Sequence, residues 1–181
     1  MQNSQDQIKD LNFGSNAQDK IFNGIDKLTK AVGSTLGASG KCVILEDVIG
    51  RPTITKDGVT VANAINLQDP VENIGATLIK EAARKTVSEA GDGTTTATVL
   101  AHAILKYAKQ QQDKSSIRDI KNEIIKAYGS VVKYLDKIAV PIKGSMLNQV
   151  ASISSNNDIQ LGSVIGEAFN KVGKNGVVLM D

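Results

Sequence analysis

Tryptophan is absent, aromatic residues make up 3% of the chain, and a single cysteine and a single histidine occur among 181 residues. With Cys42 alone, no internal disulfide can form, and a reducing compartment suits the chain; the cytoplasm is the expected location. Cys42 opens an apolar stretch and is expected as a small buried thiol rather than a nucleophile. His102 has no second histidine and no Cys–His spacing to support a metal site, so a surface or packing role is expected. The formal net charge is +2, too balanced to point to nucleic acid or an anionic membrane. No apolar run approaches the length of a membrane span, and Met1-Gln2-Asn3-Ser4-Gln5-Asp6 lacks the basic and apolar regions of a signal peptide. With so few aromatics the core must be built from Ile, Val, Leu and Ala, and a composition 41% hydrophobic and 22% charged is that of a globular chain.

Helical periodicity dominates. Leu11 and Phe13 alternate with polar residues and predict a short strand. Ser15-Asn16-Ala17-Gln18 has the spacing of a capping box, and the helix after it places Ala17, Ile21, Ile25, Leu28 and Val32 on one face before Gly33. Cys42 to Leu45 and Thr53 to Thr55 read as a hairpin around the turn Gly50-Arg51-Pro52. A short apolar helix follows through Val59, Val61, Ala62 and Ile65. Asp69-Pro70-Val71-Glu72 is a strong helix start, and that helix, with Ile74, Leu78 and Ala82 on its apolar face, runs to about Ala90. Another carries Ala97, Leu100, Ile104 and Tyr107. Ser116 caps a long helix with the face Ile117, Ile120, Ile124, Tyr128, Val131, Leu135 and Ile138. Val140-Pro141-Ile142-Lys143-Gly144 reads as a domain boundary. Beyond it come a short helix around Leu147 and Val150, a polar loop from Ser152 to Asp158, a helix with Ile165, Phe169 and Val172, and an apolar strand at Val177–Met180. No repeat or low-complexity tract is present.

The stretch richest in chemistry is Ala90-Gly91-Asp92-Gly93-Thr94-Thr95-Thr96-Ala97-Thr98. Glycines end one helix, and Asp92 with the threonines can start the next. A helix start offers unpaired N–H groups and partial positive charge to an anion, and the hydroxyls add donors. Asp92 would repel a phosphate unless a hard cation such as Mg²⁺ lay between them. The residues alone read as a phosphate–magnesium site or as an ordinary helix cap. Two further loops have a similar make-up. Thr35-Leu36-Gly37-Ala38-Ser39-Gly40-Lys41 is not a P-loop: that pattern needs Gly at Thr35 and Ser or Thr at Cys42, and it runs from strand into helix, whereas here a helix leads into a strand. An unrelated P-loop phosphotransferase is thereby excluded. Lys56-Asp57-Gly58 pairs a cation and a carboxylate beside a glycine at the base of the hairpin.

Together, Thr35-Leu36-Gly37, Ile54-Thr55-Lys56-Asp57-Gly58-Val59 and Ala90-Gly91-Asp92-Gly93-Thr94-Thr95-Thr96 resemble the nucleotide loops of group I chaperonins, the GroEL type. The resemblance extends in the same order from about Leu11 to Asp181, through Val140-Pro141, Ser152-Ile153-Ser154 and Lys171-Val172-Gly173-Lys174-Asn175-Gly176-Val177. It implies a mainly α fold: the N-terminal half of a multihelical equatorial domain with a small β-hairpin (1–139), then the first segment of an α+β intermediate domain (140–181). It also implies binding of ATP, Mg²⁺ and a potassium ion. Thr35, Leu36 and Gly37 would touch nucleotide or ions, Lys56 and Gly58 would lie by the phosphates, and Gly93, Thr94, Thr95 and Thr96 would cradle them. Asp92 would hold Mg²⁺, and Asp57 would sit near the γ-phosphate and assist hydrolysis. The hairpin would reach toward a neighbouring subunit.

The resemblance also implies that the apical domain, with its surface for unfolded clients and co-chaperonin, is missing, together with the return segment that carries the family's main catalytic Asp. Two readings follow. One is the ATP/Mg²⁺-binding part of a ring-forming chaperonin that assists protein folding. The other is a short chaperonin-derived protein that docks on full-length subunits without being an enzyme. Two departures from the family pattern, Ala38-Ser39 after Thr-Leu-Gly and the shorter connection at Asp113–Ser116, are expected to act locally.

Overall fold

A computed structural model describes residues 10–37, 39–47, 49–173 and 175–179. Among them the order is α1 (Gly14–Gly33), β1 (Val43–Glu46), β2 (Pro52–Thr55), α2 (Gly58–Ala64), α3 (Pro70–Ala90), α4 (Thr94–Gln111), α5 (Ile117–Ile138), α6 (Met146–Ser154) and α7 (Ile159–Val172). The fold is mainly α with one small hairpin, as expected. By packing, the chain divides into two compact units, Met1–Ile120 and Lys121–Asp181.

In the first unit, α1 packs against α3 and α4. Its face Ile25, Leu28 and Val32 is buried and meets Val61 and Ala62 of α2 and Ala76 and Ile79 of α3. What brings α1 and α3 together is glycine. A Cβ on Gly24 would overlap the Glu72 carbonyl, and one on Gly75 the Ile21 carbonyl. Ion pairs flank this contact: Lys20 Nζ lies 2.6 Å from Asp69 and Lys27 Nζ 2.5 Å from Glu72. Hydrogen bonding from Lys20 holds the Asp69 carboxyl below its usual range. Asp69 also caps α3, accepting from the amides of Val71 and Glu72, with Pro70 at the first helical position as the sequence predicts. The hairpin pairs Val43 with Thr55 and Glu46 with Pro52. Asp47 closes its turn by accepting from the amides of Ile49 and Arg51, each at 2.8 Å. Val43 and Leu45 pack on the core, while Ile44 and Ile54 face out.

Several expectations are corrected. Leu11 and Phe13 form no strand; both are exposed, and Phe13 is the N-cap of α1. The helix begins at Gly14 with no side-chain cap, so Ser15 lies inside it and the capping box is not used. Cys42 precedes β1 and is exposed, not buried. On α3, Ile74 and Leu78 are more than half exposed, and the buried face runs instead through Gly75, Ala76, Ile79, Lys80 and Ala83. On α4, Leu100, Ile104 and Tyr107 likewise face out, and Thr94 and Thr98 are buried. On α3 the closest approach of α1 falls at Gly75, where no side chain would fit.

His102 takes the packing role expected of it, with its ring 5.7 Å from that of Phe22 and its Nε2 3.2 Å from Asp26. Lys109 lies 4.9 Å from the Phe22 ring centroid and pairs with Asp19 at 2.6 Å.

Ser116 caps α5 as predicted, accepting from the Asp119 amide, but no residue of α5 is buried. In the second unit, α6 and α7 form an antiparallel hairpin. They approach so closely that a Cβ on Gly162 would strike Ser152 and one on Gly166 would strike Asn148. Asn156 and Asn157, both with positive φ, make the turn between them, and Asp158 caps α7 through the Leu161 amide. Helix α6 runs to Ser154, so the expected polar loop shrinks to four residues, 155–158. Residues 177–179 form no strand, and Met180 lies outside the described residues.

Candidate functional site

Three loops of the first unit converge on one depression. The first leaves α1. Thr35 is 9% exposed and its hydroxyl donates to the Val32 carbonyl at 2.7 Å. The Lys41 amide returns to the Ser34 carbonyl at 2.8 Å, closing the loop into a tight excursion. Gly37 occupies the left-handed region at φ 75°, where a side chain would be strained.

The second loop leads from β2 into α2. Asp57 is the N-cap of α2: its carboxylate accepts from the Val59 amide at 3.2 Å, the Thr60 amide at 2.8 Å and the Thr60 hydroxyl at 2.5 Å. Partial burial disfavours the ion, but these three donors outweigh it and hold the Asp57 carboxyl below its usual range. Gly58 lies against the third loop; a Cβ there would strike the Thr95 hydroxyl.

The third loop joins α3 to α4. Gly91 ends α3 in the left-handed conformation, its amide donating to the Val87 carbonyl at 2.8 Å. Gly93 is the N-cap of α4, at φ 96°, and supplies no side-chain acceptor to the first turn. Asp92, expected to share in starting this helix, instead accepts from the Gly93 amide at 2.6 Å and does not cap α4. Among the described residues, no side chain caps the opening N–H groups of α4 at the depression. Thr94 and Thr98 are buried, with the Thr98 hydroxyl donating to the Thr94 carbonyl at 2.8 Å. The Thr95 hydroxyl is 3.4 Å from that of Thr35, which ties the first loop to the third.

The resulting cavity has a volume of about 230 Å³. It brings together Thr35, Leu36, Gly37, Asp57, Gly58, Asp92, Gly93, Thr94, Thr95 and Thr96, all singled out in the sequence. Lys56 is exposed and is not among the lining residues. Val59, which closes the second motif but was given no role of its own, also lines the cavity; its place directly after Gly58 at the start of α2 was the available signal.

The lining has a particular charge balance: among the described residues it holds two carboxylates and no lysine or arginine. Hydroxyls and helix-start amides suit an oxyanion, yet a bare phosphate would meet Asp57 and Asp92. A divalent cation between them resolves the conflict. No group of three or more His, Cys, Asp or Glu side chains suited to a metal occurs among the described residues, so the protein offers no complete cage. That donor set fits Mg²⁺, which is commonly held by one or two carboxylates, with substrate phosphates and water completing its shell.

Comparison with known proteins agrees with this fold. The profile of the TCP-1/cpn60 chaperonin family matches residues 28–179. Among solved structures, the chain is similar to the chaperonin gp146 from the bacteriophage EL 2 (Pseudomonas aeruginosa), crystallised in the presence of ATP-BeFx. One crystal form gives 32% identity and a TM-score of 0.77 over 93% of this chain and 30% of that one. The other gives 32% identity and a TM-score of 0.76 over 87% and 28%. A group III chaperonin in the open state is 25% identical, with a TM-score of 0.74 over 90% of this chain and 34% of that one. The chain thus spans about a third of the length of these structures or less.

Proposed function

The chain belongs to the TCP-1/cpn60 chaperonin family, and on that premise we propose that it forms the ATP- and Mg²⁺-binding part of a ring-forming chaperonin of the group I type, which assists protein folding in the cytoplasm. The carrying observation is the cavity itself, where three loops distant in sequence place hydroxyls, open helix-start amides and two carboxylates around one volume. Residues 1–139 are assigned to an equatorial domain and 140–181 to the start of an intermediate domain, with other chaperonin subunits as partners.

Within the site, the opening amides of α4 and the hydroxyls of Thr94, Thr95 and Thr96 receive phosphate oxygens. Thr35, Leu36 and Gly37 border the nucleotide. Asp92 is placed to hold Mg²⁺ because its carboxylate makes one local hydrogen bond and keeps lone pairs free. Mg²⁺, when bound, neutralises phosphate charge and so lets an anion approach two carboxylates. A potassium ion would find its oxygen donors among the same loop residues. Asp57 has a fixed orientation, because its cap bonds hold it, and its lowered pKa keeps it ionised; it is assigned to the γ-phosphate end, where it assists hydrolysis. Lys56, outside the lining, contributes longer-range attraction for phosphate.

Calorimetric titration with Mg-ATP tests the reading. The expected result is saturable binding that disappears with EDTA. A folded protein that takes up no Mg-ATP would sink it. That result would favour the second reading, a chaperonin-derived chain that docks on full-length subunits without enzymatic activity. One observation speaks for docking: the apolar face of α5, with Ile117, Tyr128, Val131 and Leu135, is more than half exposed at each of these positions.

A further inference from the structure

Among the described helices, only α5 buries none of its residues. Its apolar residues nevertheless keep a strict order. At alternating steps of four and three, Ile120, Ile124, Ala127, Val131, Tyr134 and Ile138 form an unbroken line. That spacing is the seam of a two-helix coiled coil. Tyr128 and Leu135 widen the line on one side, and Glu123, Ser130 and Lys137 edge it on the other. The face is open: Tyr128 is 68% exposed, Val131 54%, Tyr134 61% and Ile138 50%.

The charged edge decides what fits there. Glu123 and Lys137 stand two heptads apart with Ser130 midway. Turned end for end about Ser130, this edge is its own complement. Glu123 of one helix meets Lys137 of the other, and the pair occurs twice. The same turn lays Ala127 against Val131, Ile124 against Tyr134 and Ile120 against Ile138. The small Ala127 then lets the two helices come close near the centre of the seam. At the opposite edge Tyr128 meets its own copy. A parallel pair forfeits this match: Glu123 would lie beside Tyr128 and Tyr134 would oppose itself. Antiparallel helices also set their dipoles head to tail. Within its own chain Glu123 pairs with Lys126 at 3.7 Å on an exposed surface, a contact that holds little back.

We infer that α5 pairs antiparallel with the α5 of a second copy of this chain, through this seam. The inference is independent of the nucleotide reading, since no residue of α5 lines either cavity. A helix of 22 residues is about 33 Å long and spans three heptads, a short run for a coiled coil. The pairing is therefore an equilibrium set by concentration. In dilute solution the single chain, with its α5 face bare, prevails.

Sedimentation equilibrium of the full chain, from about 5 to about 500 µM, tests the pairing. The mass should rise from 19.1 kDa toward twice that value. Glu123→Lys and Lys137→Glu each set like charges across the seam edge at both ends. Either should weaken association at least about tenfold at low salt. The variant carrying both changes should regain it, because opposite signs face each other again. Both positions are exposed, and recovery in the double variant is an outcome that misfolding does not produce. The mass of one chain at every concentration overturns the inference and leaves the face to a different protein. Association that ignores the single reversals, or that the double variant does not regain, runs through another surface and overturns it as well.

Discussion

Helices α3 and α5 are almost the same length, at 21 and 22 residues, and their fates are opposite. In sequence α5 looks the better core helix, with a stripe of Ile, Tyr, Val and Leu along one side. Yet none of its residues is buried, whereas α3 buries five. The five are Gly75, Ala76, Ile79, Lys80 and Ala83, and only one is a large hydrophobe. Close approach governs burial here. Gly24 and Gly75 let the backbones of α1 and α3 meet, and the area removed from water follows from that contact at about 25 cal/mol per Å². A strong stripe shows that a helix wants a partner; it does not show that one is present.

The sharpest way to break this comparison is Gly75→Val. The new side chain would overlap the Ile21 carbonyl, a backbone group that cannot turn aside. A loss of about 3 kcal/mol or more is expected in urea unfolding; an unchanged midpoint would refute glycine-governed packing. Next, Leu28→Ala in the fully buried heart of α1 should cost about 2–5 kcal/mol. The matching truncation on α5, Val131→Ala at a position 54% exposed, should stay within about 0.5 kcal/mol. A larger cost there would mean that α5 has a partner in solution.

The two site aspartates sharpen the comparison on a smaller scale. Asp92→Ala should weaken Mg-ATP binding about tenfold more than Asp57→Ala, close to 1.4 kcal/mol, because only Asp92 is assigned to the metal. Stability should move the other way. Asp57→Ala removes the α2 cap, at about 1 kcal/mol, while Asp92 caps nothing. Equal effects of both variants in calorimetry would erase this division of roles. The smallest effect is on pH dependence. The folded-state pKa of Asp57 is depressed, so its contribution is complete above the unfolded value near 4. It is lost as the pH falls through the folded value. Asp57→Asn keeps a cap without the charge and should flatten the stability slope just below the unfolded value.

The site was more legible in the sequence than the helix faces were. Glycine, threonine and aspartate in short loops have few alternative uses. All eleven residues lining the first cavity stand in three motifs that can be read one by one, and ten of them were assigned a role. Val59 escaped because an apolar residue at a helix start looks like core. The faces of α3 and α4 were misread because periodicity marks where large apolar residues recur, not where small ones allow contact. Cys42 was placed in a strand that begins one residue later, and exposure followed from that shift. The burial of Lys80 was not legible either, since periodicity does not mark a lysine for the core.

The contact between the Thr35 and Thr95 hydroxyls joins residues 60 positions apart. A single hydroxyl contact returns too little to close so long a loop before α1 and α3 have docked and shortened it. The transition state of folding should therefore hold α1 and α3 together with the loops still apart. A ligand that bridges the loops would then slow unfolding and leave the folding rate almost unchanged. Stopped-flow refolding and unfolding with and without Mg-ATP would show this as a shift in one arm of the chevron, and a shift in the folding arm would place loop closure early.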